Sequence, residues 1–266
     1  MSYVRLLSTD FDGTLIGHPS DGRCSLSFAS ALREHHRAGG LWAVNTGRGL
    51  EHTLEGLAIF AAPVEPDFLL CHERELYHRV DGEWKPYADW NALCRQRHAE
   101  LFRSTASLFA AIEQMAGKSD NHITMLYEGE VPAGLVTSSE GVMEKVTLEL
   151  EREMQQHPGF GYQRNTIYLR FCHRDYHKGS TLGELCRLEN IPREDVFAAG
   201  DHYNDISMLD GTHAGMTACP ANAIDLVKDV VRRANGYVAE NLWADGVAEA
   251  LNHYRAMGPK RDGVCV

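Results

Sequence analysis

Four separated stretches of this chain carry residue types that can act together on one phosphate group. Asp10-Phe11-Asp12-Gly13-Thr14 follows an apolar run, Thr46 sits within Asn45-Thr46-Gly47-Arg48, Lys178 precedes Gly179, and Gly200-Asp201-His202-Tyr203-Asn204-Asp205 completes the set. Together they offer a carboxylate to attack phosphorus and a second carboxylate for proton transfer. They also offer a hydroxyl and an ammonium for phosphate oxygens, and a pair of carboxylates for a hard divalent cation. The chemistry open to such a set is phosphoryl transfer.

Each stretch needs an element to aim it. Tyr3 to Thr9 reads as a short buried strand ending at Asp10; Leu41 to Asn45 repeats the pattern before Thr46, and Asp195 to Ala199 repeats it before Gly200-Asp201. Continuous apolar runs of this length are the mark of buried parallel strands, and in open α/β sheets ligands sit beyond the strands' carboxyl ends. Helical spacing lies between them. Leu26, Ala29 and Leu32 follow Ser25, a good N-cap; Leu50, Leu54, Leu57 and Ala58 form a second stripe; Leu182, Leu185 and Leu188 form a third. Ala221 to Ile224 and Ala244 to Val247 open two closing helical segments. Strand and helix alternate, which predicts an α/β fold with a mainly parallel sheet.

The interval from Thr46 to Lys178 is too long for a simple crossover and has a pattern of its own. A long helix is expected from Asp89 to Ala116, then a strand over His122 to Tyr127, a polar turn at Ser138-Ser139-Glu140, a helix from Val142 to Met154, and a strand from Thr166 to Cys172. The expected division is a core of residues 1–86 and 174–266 with an inserted α+β domain over residues 87–173.

Composition narrows the partners. With 26 basic and 37 acidic side chains the formal charge is −11, and no block of Lys and Arg is long enough to follow a nucleic-acid backbone or an anionic membrane. An acidic protein that binds an anion must create positive potential locally, from a cation, a lysine and backbone N–H groups. Met1 to Ser8 is too short an apolar run for a signal peptide or a membrane span. Seven cysteines are an odd number, scattered from Cys24 to Cys265 without a Cys-x-x-Cys pair, so a reducing cytoplasm is expected rather than a disulfide framework or thiolate zinc site. The fourteen histidines include no His-x-x-x-His pair on an expected helix, and most read as surface or locally bonded side chains.

With these four motifs in this order, the chain resembles the haloacid dehalogenase superfamily of phosphohydrolases over nearly its whole length. The insertion between the second and third motifs is similar to the α/β cap of the Cof-type and sucrose-phosphatase-like branch. The resemblance implies a three-layer Rossmann-like core, with Asp10 as nucleophile forming an aspartyl phosphate and Asp12 as general acid and then general base. It implies phosphate contacts from the backbone N–H groups of Gly13 and Thr14 and from Thr46, Gly47, Lys178 and Asn204, the last orienting its loop or Lys178. It implies Mg²⁺ held by Asp10, the backbone carbonyl of Asp12, Asp201 and Asp205. Arg48 reads as a solvated helix-start residue. His202 stands where the family varies.

A second carboxylate favours a phosphatase over a dehalogenase, since a departing halide needs no acid. The substrate expected is a small soluble phosphate ester, of a sugar or polyol, with Tyr127, Glu128, Arg170, His173 and Arg174 of the insertion as candidates to read it. Glu75-Leu76-Tyr77 resembles the sucrose-phosphatase-like branch, although Glu73 and Arg74 stand where a glycine is expected before that Glu. The alternatives are a phosphomutase of the same fold and a non-catalytic phospho-ligand sensor.

Overall fold

The computed structural model describes residues 4–17, 22–118 and 122–257; Tyr3, at the head of the first expected strand, and Cys265 lie outside the described residues. The chain divides into two compact units, Met1–Ala88 with Lys178–Val266, and Asp89–His177. The sequence expectation drew these boundaries a few residues earlier, after 86 and after 173.

The first unit begins β1 (Leu6–Thr9), α1 (Leu26–Arg37), β2 (Leu41–Asn45), α2 (Leu50–Phe60) and β3 (Phe68–Cys71), followed by a hairpin of β4 (Glu75–Val80) and β5 (Glu83–Pro86). The second holds α3 (Trp90–Ser104), α4 (Ala106–Gly117), β6 (Ile123–Glu128), β7 (Val131–Thr137), α5 (Glu140–Met154), β8 (Phe160–Asn165) and β9 (Tyr168–His173). The chain then returns to the first unit through α6 (Lys178–Leu188), β10 (Val196–Ala199), α7 (Ile206–Leu209) and β11 (Met216–Cys219). It closes with α8 (Asp225–Arg233), β12 (Tyr237–Val238) and α9 (Trp243–Met257).

The core sheet runs β12-β11-β10-β1-β2-β3-β4-β5, parallel through β3 and antiparallel in the terminal hairpin. β1, β2, β3, β10 and β11 are buried along their full length or nearly so, which is why their sequences are apolar without alternation. Ser25 caps α1 as expected, its hydroxyl accepting from Phe28 N at 3.3 Å. The buried stripe of α1 is Phe28, Ala31, Leu32 and His35, the spacing of one helical face, while Leu26 is 91% exposed at the helix start. In α2 the buried face is Thr53, Gly56 and Phe60, and Leu54 is exposed. Small residues face the sheet there because a Cβ at Gly56 would lie 2.8 Å from the Phe11 ring.

In the second unit an antiparallel sheet, β6-β7-β9-β8, is packed by helices around Leu108, Phe109, Ile112, Leu135, Phe160 and Phe171. The single long helix expected over 89–116 is two. Thr105 sits between them with φ −111°, its hydroxyl donating to Leu101 O at 2.9 Å, the back-bonding by which a mid-helix threonine bends or breaks a helix. Strands β7 and β8 and the β4–β5 hairpin were not expected. Pro132 and Gly134 mask β7 and Gly161 masks β8, residue types that count against a strand in a propensity reading. No helix among the described residues is long and apolar enough to cross a membrane.

Candidate active site

β1 pairs with β2 on one side and β10 on the other, so the chain leaves β1 toward both edges of the sheet, the switch point where open α/β sheets form a crevice. Asp10 follows β1 directly and its N–H donates to Ala199 O at 2.9 Å. The loop then turns at Gly13, φ +86°, where a Cβ would stand 2.4 Å from Asp201 Oδ2. Glycine is required there twice over, by the left-handed backbone and by the carboxylate against it.

The centre of the site is a buried ammonium between carboxylates. Lys178 Nζ donates to Asp10 Oδ1 at 2.6 Å and to Asp205 Oδ1 at 2.7 Å, and Lys178 and Asp205 are wholly inaccessible. Asn45 Nδ2 donates to the Lys178 carbonyl at 3.1 Å, fixing the start of α6. Asp205 Oδ2 accepts from the backbone of Asp201 at 2.8 Å and of His202 at 2.9 Å. Thr14 donates its hydroxyl to Asp201 Oδ1 at 2.7 Å. Four stretches remote in sequence are thereby tied into one charged network.

Burial dominates the titration of this cluster. It raises Asp10 well above the usual carboxylate range, opposed by Lys178 and reinforced by Asp205 and Asp201. It raises Asp201 to about 7, with Asp205 adding to it. Burial would lower Lys178, but Asp10, Asp205 and Glu73 outweigh it and hold the ammonium charged. One ammonium does not neutralise so many buried carboxylates. Asp10, Asp201 and Asp205 each present an oxygen within 4.8 Å of the others, a hard-oxygen set that fits Mg²⁺ and whose mutual repulsion a divalent cation offsets.

The remaining expected residues are placed as follows. Thr46 accepts from Arg48 N at 3.2 Å, which leaves its own hydroxyl proton to give. Gly47 lies against Glu73, since a Cβ on it would be 3.3 Å from Glu73 Oε1. Thr14 is fully buried with its proton committed to Asp201, so its side chain holds the acidic loop and offers that proton to no phosphate. Asn204 donates from Nδ2 to Glu73 Oε1 at 2.7 Å. Asp12 is half-exposed and lies under the fork of Arg48, whose Nε and Nη2 reach its two oxygens at 2.7 and 2.6 Å. Arg48 is thus no solvated helix-start residue. Its guanidinium is also 4.9 Å from the Phe11 ring centroid, and the planar fork matches a carboxylate in a way a lysine could not.

Three residues of the network were not singled out by sequence reasoning. Asn45 was visible within the second motif. Asn222, which donates to Gly13 O at 2.7 Å and accepts from Trp243 N at 2.8 Å, gave no signal beyond opening a helical segment. Glu73 did leave a signal, as the residue standing in a glycine's place.

In the second unit, Tyr127 donates to Glu113 at 2.9 Å, Arg174 to Pro158 O at 3.0 Å, and Arg170 lies 3.9 Å from Glu128. His173 Nδ1 accepts from Asp175 N at 3.3 Å. Of these candidates Arg170 is on the sheet face away from the helices, in a cross-strand row with Leu126, Gly134 and Gln163.

The sequence profile of the haloacid dehalogenase-like hydrolases matches residues 107–251. Glucosylglycerol-phosphate synthase of Pseudomonas anguilliseptica is 28% identical over 272 residues, covering 95% of this chain and 31% of that protein. Phosphoglycolate phosphatase of Methanobrevibacter smithii is 39% identical over 77 residues, 29% of this chain and 30% of the other. The matches therefore span about a third of the length of these curated relatives. Among solved structures, the sucrose-phosphatase of Synechocystis sp. PCC6803 with sucrose and phosphate superposes with a TM-score of 0.70 at 16% identity, over 96% of this chain and 98% of that one. A haloalkanoate-superfamily phosphatase from Bacteroides thetaiotaomicron gives 0.62 at 21% identity, over 94% and 95%. At these identities the likeness is one of fold.

Proposed function

The chain belongs to the haloacid dehalogenase-like hydrolases, and from that premise we propose that it is a Mg²⁺-dependent phosphomonoesterase acting on a sugar or polyol phosphate through an aspartyl phosphate. The observation that carries the reading is Lys178, buried between Asp10 and Asp205 with Asp201 beside them. A sheet core gains nothing in stability from so many desolvated charges, but a dianionic phosphoryl group needs such a place.

In this reading an Asp10 oxygen attacks phosphorus in line with the leaving group. The new O–P bond forms as the ester O–P bond breaks, and Asp12 gives its proton to the departing alkoxide. In the second half the Asp12 carboxylate takes a proton from water, whose oxygen attacks phosphorus, releasing inorganic phosphate and restoring Asp10. Lys178 offsets charge on the phosphoryl oxygens and on Asp10 throughout, and the Thr46 hydroxyl donates to a phosphoryl oxygen. A bound Mg²⁺, held by Asp10, Asp201, Asp205 and the Asp12 carbonyl, would supply Lewis-acid polarisation of that group. Arg48 takes one lone pair on each Asp12 oxygen, which holds the carboxylate in place and leaves the second lone pair of either oxygen to handle the proton.

The polyol class is supported by the relative named for glucosylglycerol phosphate, which aligns over 95% of this chain. The inserted unit is proposed to choose the organic part of the ester. The test is phosphate release from a panel of sugar, polyol and nucleotide phosphates, with Mg²⁺ and with EDTA, against Asp10→Asn as blank. Metal-dependent release strongest on polyol phosphates is expected; release that survives chelation would remove the metal from the reading.

A further inference from the structure

The turn between β3 and β4 places a carboxylate where its backbone favours none. His72 and Glu73 both have positive φ, +51° and +65°, and Arg74 N donates to Cys71 O at 3.0 Å across them. Two consecutive left-handed residues are the pattern of a type I′ turn, which Asn-Gly fills at least cost. A side chain as large as glutamate in such a position is strained, and strain of this kind collects at functional sites. Glu73 is pinned along its whole length. Its N–H donates to Thr46 O at 3.0 Å, its carbonyl accepts from the Thr181 hydroxyl at 3.2 Å, and its Oε1 accepts from Asn204 Nδ2 at 2.7 Å. The residue is 6% exposed.

The partner of that last bond explains what the strain secures. A carboxylate only accepts, so Glu73 fixes which end of the Asn204 amide faces it. Asn204 Oδ1 is then the other end, and it is buried with no hydrogen-bond partner. A buried acceptor of this kind calls for a donor. A phosphate dianion cannot be one, because its oxygens accept. Asn204 lies between Asp201 and Asp205 in sequence, two of the three carboxylates that can hold a cation. Mg²⁺ keeps several of its waters, each a strong O–H donor.

We propose that Glu73 is a positioning residue that holds the Asn204 amide with Oδ1 ready to accept from a water on the divalent cation. The inference rests on the metal assignment of the proposed phosphatase and adds to it a residue this chain carries in a glycine's place. Partners of this outer kind are worth 10–100-fold in metal affinity.

The experiment is titration of the whole protein with Mn²⁺, followed by electron paramagnetic resonance without any ester, for wild type, Glu73→Gly and Glu73→Gln, with melting temperatures alongside. Glu73→Gly relieves the backbone, so it is expected to melt no lower than wild type yet to bind Mn²⁺ about tenfold more weakly. Glu73→Gln keeps an oxygen to accept from Asn204 and is expected to stay within about threefold. Unchanged Mn²⁺ affinity in Glu73→Gly, with any loss confined to KM for the ester, overturns the proposal and gives Asn204 to the substrate. Equal weakening in Glu73→Gln also overturns it, in favour of net charge. Tight Mn²⁺ binding in a protein that releases no phosphate would sink the phosphatase reading alone; a wild type that binds no Mn²⁺ sinks both.

Discussion

The two units bury different kinds of matter. The inserted unit closes on aromatic and aliphatic side chains, with Phe102, Phe109, Phe160 and Phe171 meeting at ring-centroid distances of 5.1 to 6.4 Å. The core unit has an apolar cluster around Phe11, Phe28, Trp42 and Phe60, but at its sheet edge it also buries Asp10, Lys178, Asp201, Asp205, Glu73, Asn45 and Asn204. Packing of the first kind stabilises by area removed from water and tolerates repacking. The second kind must be satisfied bond by bond, and desolvation opposes it. Stability and chemistry are therefore written in different places, and substitutions of equal energetic weight should separate them.

The largest separation is expected at Asp10. Asn is nearly isosteric and relieves the repulsion among buried carboxylates, so Asp10→Asn should fold at least as well as wild type while losing about 10⁴-fold or more in kcat. Near-normal turnover would remove Asp10 as nucleophile. A stability loss of several degrees would mean the carboxylate serves the fold after all.

Lys178→Met and Leu135→Ala sharpen the contrast at matched cost. Removing one partner of a buried ion pair costs about 3–5 kcal/mol, and emptying a fully buried leucine site costs about 2–5 kcal/mol. Urea denaturation should show comparable losses. Assays well below the melting temperature should then differ, with kcat down about 10³-fold for Lys178→Met and kcat/KM within about tenfold for Leu135→Ala. Mg²⁺ should restore part of the stability of Lys178→Met, since a divalent cation supplies the missing charge between Asp10 and Asp205. Equal activity loss in both variants would erase the distinction between units.

How much of this was legible in the sequence follows the same divide. Residues that project from strand ends could be read directly, because Asp10, Thr46 and Asp201 follow apolar runs whose burial fixes their position. Lys178 could be read from the Lys-Gly opening of a helix. What could not be read were bonds between loops. Arg48 is a helix-start arginine by every local criterion, and only the fold brings it over Asp12. Thr14 was given to the phosphate through its backbone N–H, and nothing local reveals the separate bond from its hydroxyl to Asp201 Oδ1 at 2.7 Å. Glu73 was noticed as a missing glycine, although the absence was itself the signal. In the inserted unit the helices were legible by period, while β7 and β8 were hidden by Pro132, Gly134 and Gly161, and Thr105 broke a stripe that otherwise ran on.

Arg48 offers a finer cut within the core unit. Arg48→Met frees Asp12 from a bidentate partner without touching Asp10 or the metal set. The loss should be about tenfold for alkyl and polyol phosphates, whose leaving alkoxide needs a well-placed proton, a fraction of the 10²–10⁴ that general acid–base groups contribute. For nitrophenyl phosphate, whose leaving group departs without a proton, the change should stay under about threefold. The ratio of the two kcat values is the readout. If both fall together, Arg48 is holding the loop rather than serving proton transfer at Asp12.

The smallest effect lies in the core unit's only described histidine with no measurable exposure, His35, remote in sequence from every motif. A Cβ on Gly40 would lie 2.2 Å from its ring, Nε2 donates to Leu41 O at 2.9 Å, and Nδ1 is buried without a partner. Burial lowers its pKa below 6.5; the Leu41 bond and Asp67 pull upward, and Arg255 and His36 push further down. The unfolded chain thus takes up a proton on His35 before the folded one does. Stability from this group is complete above the unfolded value near 6.5 and is lost as pH falls from there through the depressed folded value. His35→Gln, neutral at every pH and still able to donate to Leu41, should show a smaller drop in melting temperature between pH 7 and pH 5 than wild type. Because no catalytic group is altered, the pH profile of kcat should be the same in both proteins. A variant that flattened the activity profile as well would show that the apolar packing and the charged edge of this unit are coupled, and that the line drawn between stability and chemistry runs elsewhere.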